Sequence, residues 1–312
     1  MKKKILSLVL VLALCVGTCL SFTACGSKAD YTVGICQYME HESLEKATNG
    51  FKDALTELLE AEGKTVEFDE QVAAGDETVC TTIVNTFTSK KVDLIMANAT
   101  PALVVAANAT ASNNIPVLGT SVTDYEDTFK NNIPSNVSGT SDAVPFDEQA
   151  KMMIDTLGLV EGDKVGVIYC TNESNSKLQY EAVKALFEEE GIVVDAYTFS
   201  ETTELQTVVT SAATNSKAIY IPSDNTVADN DAVVGTICSE KNVPVYTSYP
   251  SSICYASLAI DYYELGYETG KMAAEILLGN KTTADIEILT ITPSVEYNKE
   301  ICGKLGITVP EE

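Results

Sequence analysis

The sequence predicts an α/β protein of two similar lobes, each a parallel sheet flanked by helices, with a ligand cleft between them. Three repeated features predict it. Residues 32–38 (TVGICQY) and 164–170 (KVGVIYC) are apolar, β-rich runs, each followed by a polar loop and a helical stretch closing at Glu62-Gly63 or Glu190-Gly191. Residues 92–96 pair with 218–221, and hydroxyl-rich loops follow both, Thr100-Pro101-Ala102 and Ser223-Asp224-Asn225-Thr226. Residues 115–118 then pair with 243–246. Strands alternating with helices make parallel βαβ units. Two such units make two lobes, with a ligand expected outside the carboxyl ends of their strands.

The N-terminus reads as a secretory signal over residues 1–24. Lys2, Lys3 and Lys4 form a positive start, Ile5 to Leu14 an apolar stretch too short to span a bilayer, and Ala24-Cys25 the end. Ala24 before Cys25 resembles the lipobox of bacterial lipoproteins, so residues 25–30 read as a lipidated tether, anchored by more than one acyl chain. This places the protein on the outer face of the bacterial cytoplasmic membrane, held by lipid only.

Beyond the tether, strand 32–36 precedes a helix from Leu44 to Glu60, whose Leu44, Ala47, Phe51, Ala54, Leu55, Leu58 and Leu59 keep helical spacing. Gly63 suits its C-terminal cap. Then come strand 66–68, helix 76–89, strand 92–97, a helix from Thr100-Pro101, and strand 115–118 ending at Gly119-Thr120-Ser121. Residues 134–144 break the periodicity and read as the crossing between lobes. The order repeats from Lys164. A last helix opens at Asp261 and runs to Leu278 before Gly279, and strand 286–291 completes the pattern.

The formal net charge of −25 becomes −28 once the three signal lysines are removed. An acidic chain with no basic cluster is unsuited to nucleic acid, which needs cations against its phosphates. The sequence contains no Arg and no Trp, so no guanidinium fork is available to a carboxylate and no indole to stack on a sugar. Six cysteines follow Cys25, without the tight spacing of a zinc site. Neither metal nor cofactor is expected. His41, the single histidine, has no nucleophile or metal set around it, which favours packing or binding over catalysis. No phosphate-binding loop, dinucleotide fingerprint or nucleophile elbow occurs.

The chemistry therefore falls to loops. Thr100-Pro101-Ala102 reads as a helix start offering amides and hydroxyls to an anion, or equally as a plain cap. Ser223-Asp224-Asn225-Thr226, in the equivalent place, suits an ammonium, although an Asx cap explains it too. Glu173-Ser174-Asn175-Ser176 is a further cap-like cluster, and Gly139-Thr140-Ser141-Asp142 lies at the crossing. Tyr249, Tyr262 and Tyr263 offer aromatic walls.

At these loops the chain resembles substrate-binding lipoproteins of ABC importers, in the branch associated with tryptophan and other aromatic amino acids, with a type I periplasmic-binding-protein fold. The stretches that carry the resemblance are Ile35-Cys36-Gln37 with Glu40-His41, 92–95 with Ala99-Thr100-Pro101, 136–142 (NVSGTSD), Asn175-Ser176, Pro222–Thr226 and 260–266 (IDYYELG). It spans nearly all of 31–310. The chain departs from the pattern at Glu42, Ala102 and Ser248–Ser251, which bears on the ligand rather than the fold.

The resemblance implies three crossings between lobes, with residues 31–140 plus 256–280 forming the first lobe and 141–255 plus 281–312 the second. It implies a monomer that delivers a small zwitterion, an aromatic or large apolar amino acid, to a membrane permease. A surface sensor of the same fold, or a binder of another metabolite such as a nucleoside, is the alternative. The expected ligand-binding set is Glu40, Thr100, Ala102, Ser121, Asp142, Ser174, Asn175, Asp224, Asn225, Thr226, Tyr249 and Asp261. Mirror-related placement assigns the ammonium to Asp224 and the carboxylate to Thr100, Ser121 and the amide of Ala102. Glu40, Asp142 and Asp261 stand next in line for the ammonium.

Overall fold

The computed structural model describes residues 28–310. The signal and Cys25 lie outside the described residues. Strand β1 (Tyr31–Gln37) leads to helix α1 (Glu42–Ala61), then β2 (Val66–Val72), α2 (Glu77–Lys90), β3 (Leu94–Asn98), α3 (Thr100–Thr110) and β4 (Val117–Val122). A short α4 (Tyr125–Thr128) and β5 (Val137–Ser141) follow. The second half runs α5 (Phe146–Leu157), β6 (Lys164–Cys170), α6 (Ser174–Glu189), β7 (Val193–Phe199), α7 (Leu205–Asn215), β8 (Ala218–Ile221), α8 (Asn225–Ala228), α9 (Asp231–Lys241) and β9 (Val245–Thr247). It ends with β10 (Ala256–Ala259), α10 (Tyr262–Leu277), β11 (Leu289–Thr290), β12 (Ser294–Tyr297) and α11 (Lys299–Leu305).

Two sheets result. Their strand orders are β11-β5-β4-β3-β1-β2 and β12-β10-β9-β8-β6-β7. The pairings are parallel except β10 with β12. The inner strands β3, β4 and β8 are buried along their whole length, as expected of parallel strands covered by helices on both faces.

Sheet pairing corrects the lobe boundaries. Residues 256–259 pair with β9, Ala256 opposite Tyr246, so they belong to the second lobe. Leu289 pairs with Thr140 and belongs to the first. The chain thus crosses at 142–145, at 260–261 and at 291–293. Residues 134–144 are not an irregular linker throughout, because β5 occupies their middle. Its sequence VSGTS hides the strand, since small residues are required there: Gly139 has φ +142 and lies against the backbone of Gly119. The expected strand 286–291 shrinks to two residues, and β12 and α11 lacked a sequence signal.

Helix α10 returns from the second crossing to lie on α1. A side chain on Gly266 would collide with the backbone at Ala47, and one on Gly50 with the backbone at Tyr263. Glycine here permits the two helix backbones to touch. Among the described residues six cysteines are free and buried, Cys36 and Cys80 in the first lobe and Cys170, Cys238, Cys254 and Cys302 in the second.

Candidate functional site

The carboxyl ends of both sheets face one another across a narrow cavity of about 20 Å³ lined by His41, Ser43, Leu44, Ser121, Asp142, Asn175, Ser223, Asp224, Asn225, Ala228, Tyr249 and Tyr262. That is room for about one water, far below the usual small-molecule site, so the lobes are drawn together here and must part to admit a solute. Parallel topology puts the loops after β1, β3 and β4 on one wall. The loops after β6, β8 and β9 form the other, and Asp142 at the first crossing sits between them.

Two residues of the first wall have a strained backbone. Ala99 has φ +91 and Ser121 has φ +55, conformations that L-residues adopt at a cost of about 1–3 kcal/mol and that cluster at functional sites. Helix α3 starts at Thr100, with Ala99 as N-cap and Pro101 second in the helix. Thr100 is therefore not the cap, and its hydroxyl is not used on the helix.

Four of the expected residues carry buried side-chain atoms that meet no hydrogen-bond partner: Thr100 Oγ1, Ser121 Oγ, Asp142 Oδ1 and Asn175 Oδ1. Leaving a buried polar atom unpaired costs about 1–3 kcal/mol; Thr100 does not line the cavity, but Ser121, Asp142 and Asn175 do, and the three mark a place built for an incoming polar molecule. Their chemistry is divided. Thr100 and Ser121 bring hydroxyls. Asn175 gives its Nδ2 hydrogen to Ser223 O at 2.7 Å, which turns its oxygen outward as an acceptor. Asp142 receives Tyr262 Oη on Oδ2 at 2.9 Å, leaving Oδ1 open. Burial holds the Asp142 carboxyl above the usual carboxylate range, against the opposing hydrogen bonds of Tyr262 and Thr123.

Asp224 lines the cavity but is committed elsewhere. Its Oδ2 accepts from Cys170 N at 2.7 Å and its Oδ1 from Val227 N at 2.9 Å, so it caps α8 and ties it to β6. Burial pushes its carboxyl well above the usual range, and the charge of Glu173 adds to that. Each oxygen already accepts one backbone hydrogen, so Asp224 serves as a cap and a tie, and the expected ammonium would have to share those oxygens. Thr226 is likewise spent on Glu173.

Three expected residues are exposed and do not line the cavity. Glu40 and Ser174 face solvent, and Asp261 caps α10 by accepting from Tyr263 N and Glu264 N. Ala102 is fully buried in the first-lobe core behind the wall. Tyr249 lines the cavity while its hydroxyl donates to Asp231 Oδ1 at 2.7 Å.

Other residues were absent from the expected set. His41, Ser43, Leu44, Ser223, Ala228 and Tyr262 line the cavity. Glu173 is fully buried and accepts four hydrogen bonds, from Asn225 N, Asn225 Nδ2, Thr226 N and Thr226 Oγ1, at 2.9, 2.6, 2.9 and 2.8 Å. The signal for His41, Ser43 and Glu173 was their position just after β1 and β6, where every strand-end residue is a candidate. Among the described residues no group of three or more His, Cys, Asp or Glu is placed to hold a metal. No described helix is long and apolar enough to cross a membrane.

Comparison with known proteins bears on this geometry. A family model described as ABC transporter substrate binding protein matches residues 32–312. A tyrosine-binding protein of Clostridioides difficile (strain R20291) is 34% identical over 272 residues, covering 85% of this chain and 77% of that one. Among solved structures, an ABC domain from Streptococcus pneumonia in complex with L-Trp is 30% identical, with a TM-score of 0.80 over 89% of this chain and 96% of its own. The ligand-free, open structure of a Clostridium difficile substrate-binding protein with adhesive properties is 31% identical, with a TM-score of 0.65 over 90% and 96%. Identity is nearly equal in the two structures, so the gap in TM-score reflects shape. The lobes here stand closer to the liganded arrangement.

Proposed function

The chain belongs to the ABC transporter substrate-binding protein family, and we propose that it captures an aromatic or large apolar amino acid as a zwitterion and delivers it to an ABC permease. The observation that carries this reading is the split of unpaired polar atoms between two acceptors, Asp142 Oδ1 and Asn175 Oδ1, and two hydroxyls, Thr100 Oγ1 and Ser121 Oγ. An ammonium has hydrogens to give and nothing to accept with, so it belongs beside Asp142 and Asn175. A carboxylate only accepts, so it belongs beside the hydroxyls and the start of α3, where the helix dipole favours it. No Lys lines the cavity and the chain has no Arg. Relatives named for tyrosine and bound to L-Trp support an aromatic side chain.

The reading is of a binder and not a catalyst: the cavity's histidine is engaged by Asn225 across the cleft. Closure over the ligand is a population shift, driven only by the ligand's preference for the closed form. The protein acts as a monomer on the outer face of the cytoplasmic membrane, anchored through Cys25 after removal of residues 1–24.

Titration calorimetry with L-tyrosine, L-tryptophan and L-phenylalanine, beside their desamino analogues, tests it. At least one amino acid should bind, and its desamino analogue about ten- to hundredfold more weakly. Equal binding of the desamino analogue, or preference for a hexose or nucleoside, overturns it.

A further inference from the structure

Two side-chain amides of the second lobe reach across the cleft, and in both cases neighbours within that lobe dictate which end points outward. Asn225 gives its Nδ2 hydrogens to Glu173 Oε2 at 2.6 Å. A carboxylate only accepts, so the amide cannot be turned round, and Oδ1 must face the first lobe. There it meets His41 Nε2 at 3.1 Å. An amide oxygen only accepts, so Nε2 must carry the hydrogen. Gln179 repeats the device. Its Oε1 receives Ser223 N at 3.0 Å and Ser248 Oγ at 2.9 Å, which turns Nε2 outward to donate to Thr123 Oγ1 of the first lobe at 3.3 Å.

The two bridges are placed apart. His41 follows β1 and Thr123 follows β4, and these strands flank β3 on either side in the first sheet. The α3 start at Thr100, which follows β3, therefore lies between the bridges. A pair of bonds on both sides of a cavity resists twisting as well as separation of the lobes.

We propose that His41–Asn225 and Thr123–Gln179 form a two-point latch that holds the lobes closed, and that Glu173 is a positioning residue that fixes the polarity of the first point. The proposal rests on closure over a solute as read above. It assigns ligand retention to direct lobe-to-lobe bonds as well as to ligand contacts. Neither bond forms until the lobes meet, so the latch acts on release and leaves capture nearly unchanged.

Stopped-flow binding of L-tyrosine and L-tryptophan tests this in His41→Leu, Thr123→Val, Glu173→Gln and His41→Gln. Each of the first three should raise the dissociation rate constant about three- to tenfold, the value of one hydrogen bond, with the association rate constant within about twofold. His41→Gln retains a donor and should restore slow release. Because Glu173 acts through Asn225 on His41, Glu173→Gln should add little in the His41→Leu background, whereas Thr123→Val should multiply with it. Unchanged dissociation in His41→Leu, or full additivity of Glu173→Gln with His41→Leu, overturns the proposal. If neither amino acid binds the parent, the functional reading fails separately. The latch is then judged without ligand, from spin labels at the exposed positions Ser112 and Glu189. A smaller closed fraction in His41→Leu than in the parent supports it, and identical distance distributions overturn it.

Discussion

Tyr262 donates its hydroxyl hydrogen to Asp142 across 120 residues of sequence, and so joins the first and second crossings between the lobes. The bond leaves the other oxygen of Asp142 buried without a partner. A carboxylate in that position is held ready for a positive charge and is costly while none is present.

Asp142→Asn should therefore trade binding for stability. Affinity for L-tyrosine or L-tryptophan falls about ten- to hundredfold in calorimetry. The ligand-free protein melts a few degrees higher, because the buried charge is gone while the amide oxygen still serves Tyr262. A ligand-free variant that melts lower than the parent contradicts this account of the site.

Asp224→Asn separates the two acids. Asp224 accepts from two buried backbone hydrogens, at Cys170 and Val227, and an amide cannot accept both without aiming its own hydrogens at one of them. Urea unfolding should show a loss of about 2 kcal/mol. The desamino analogue should lose as much affinity as the amino acid, since the defect is in the wall and not in the ammonium contact.

Acid should weaken binding. Burial lowers the His41 pKa in the closed form, against the hydrogen bond it donates to Asn225 and the charges of Glu173, Asp229 and Glu45. Its folded, closed value lies below the ordinary value of about 6.5, so the open form binds the extra proton and closure is lost as pH falls through that value. Asp142, raised by burial, must ionise to hold the ammonium and acts in the same direction. The dissociation constant should rise between pH 7 and pH 5. His41→Gln should remove the part that begins near neutrality. A flat profile in the parent refutes the linkage.

Gly266→Ala should cost about 2–3 kcal/mol in chemical unfolding, the usual penalty for overpacking where backbones touch. The methyl would strike the backbone at Ala47. Amino-acid affinity of the folded fraction should remain within about twofold.

Cys25→Ala should release the protein from the membrane fraction once uncleaved precursor is accounted for, and leave binding by the soluble domain unchanged. A processed variant that stays with the membrane refutes the lipid anchor.

The two-lobe pattern was legible because parallel strands covered on both faces must be continuous apolar runs, and residues 32–36, 92–97, 165–170 and 218–221 are such runs. Strand β5 was not, because its VSGTS has to be small for Gly139 to pass Gly119. The close approach of α1 and α10 escaped for a related reason: an isolated glycine in a helix has no partner visible along the chain. Asp142, Asn175 and Ser121, picked out from loop position, line the cavity. Asp224 stayed ambiguous because an aspartate ahead of a helix is both a cap and a ligand candidate. Only the fold reveals Cys170 N, 54 residues away, as a group it also holds. Glu173 was missed for the same reason, its four donors being gathered by the fold.

The six buried thiols make the chain its own unfolding recorder. Two lie in one lobe and four in the other, and a maleimide can reach none of them until the packing around it loosens. Alkylation followed by peptide mass mapping would then time-stamp each lobe separately, in the unmodified sequence. Bending at the crossings alone should leave all six unlabelled. Labelling of Cys36 and Cys80 ahead of Cys238 and Cys302, or the reverse, would show which half fails first when the protein is heated or stored in air.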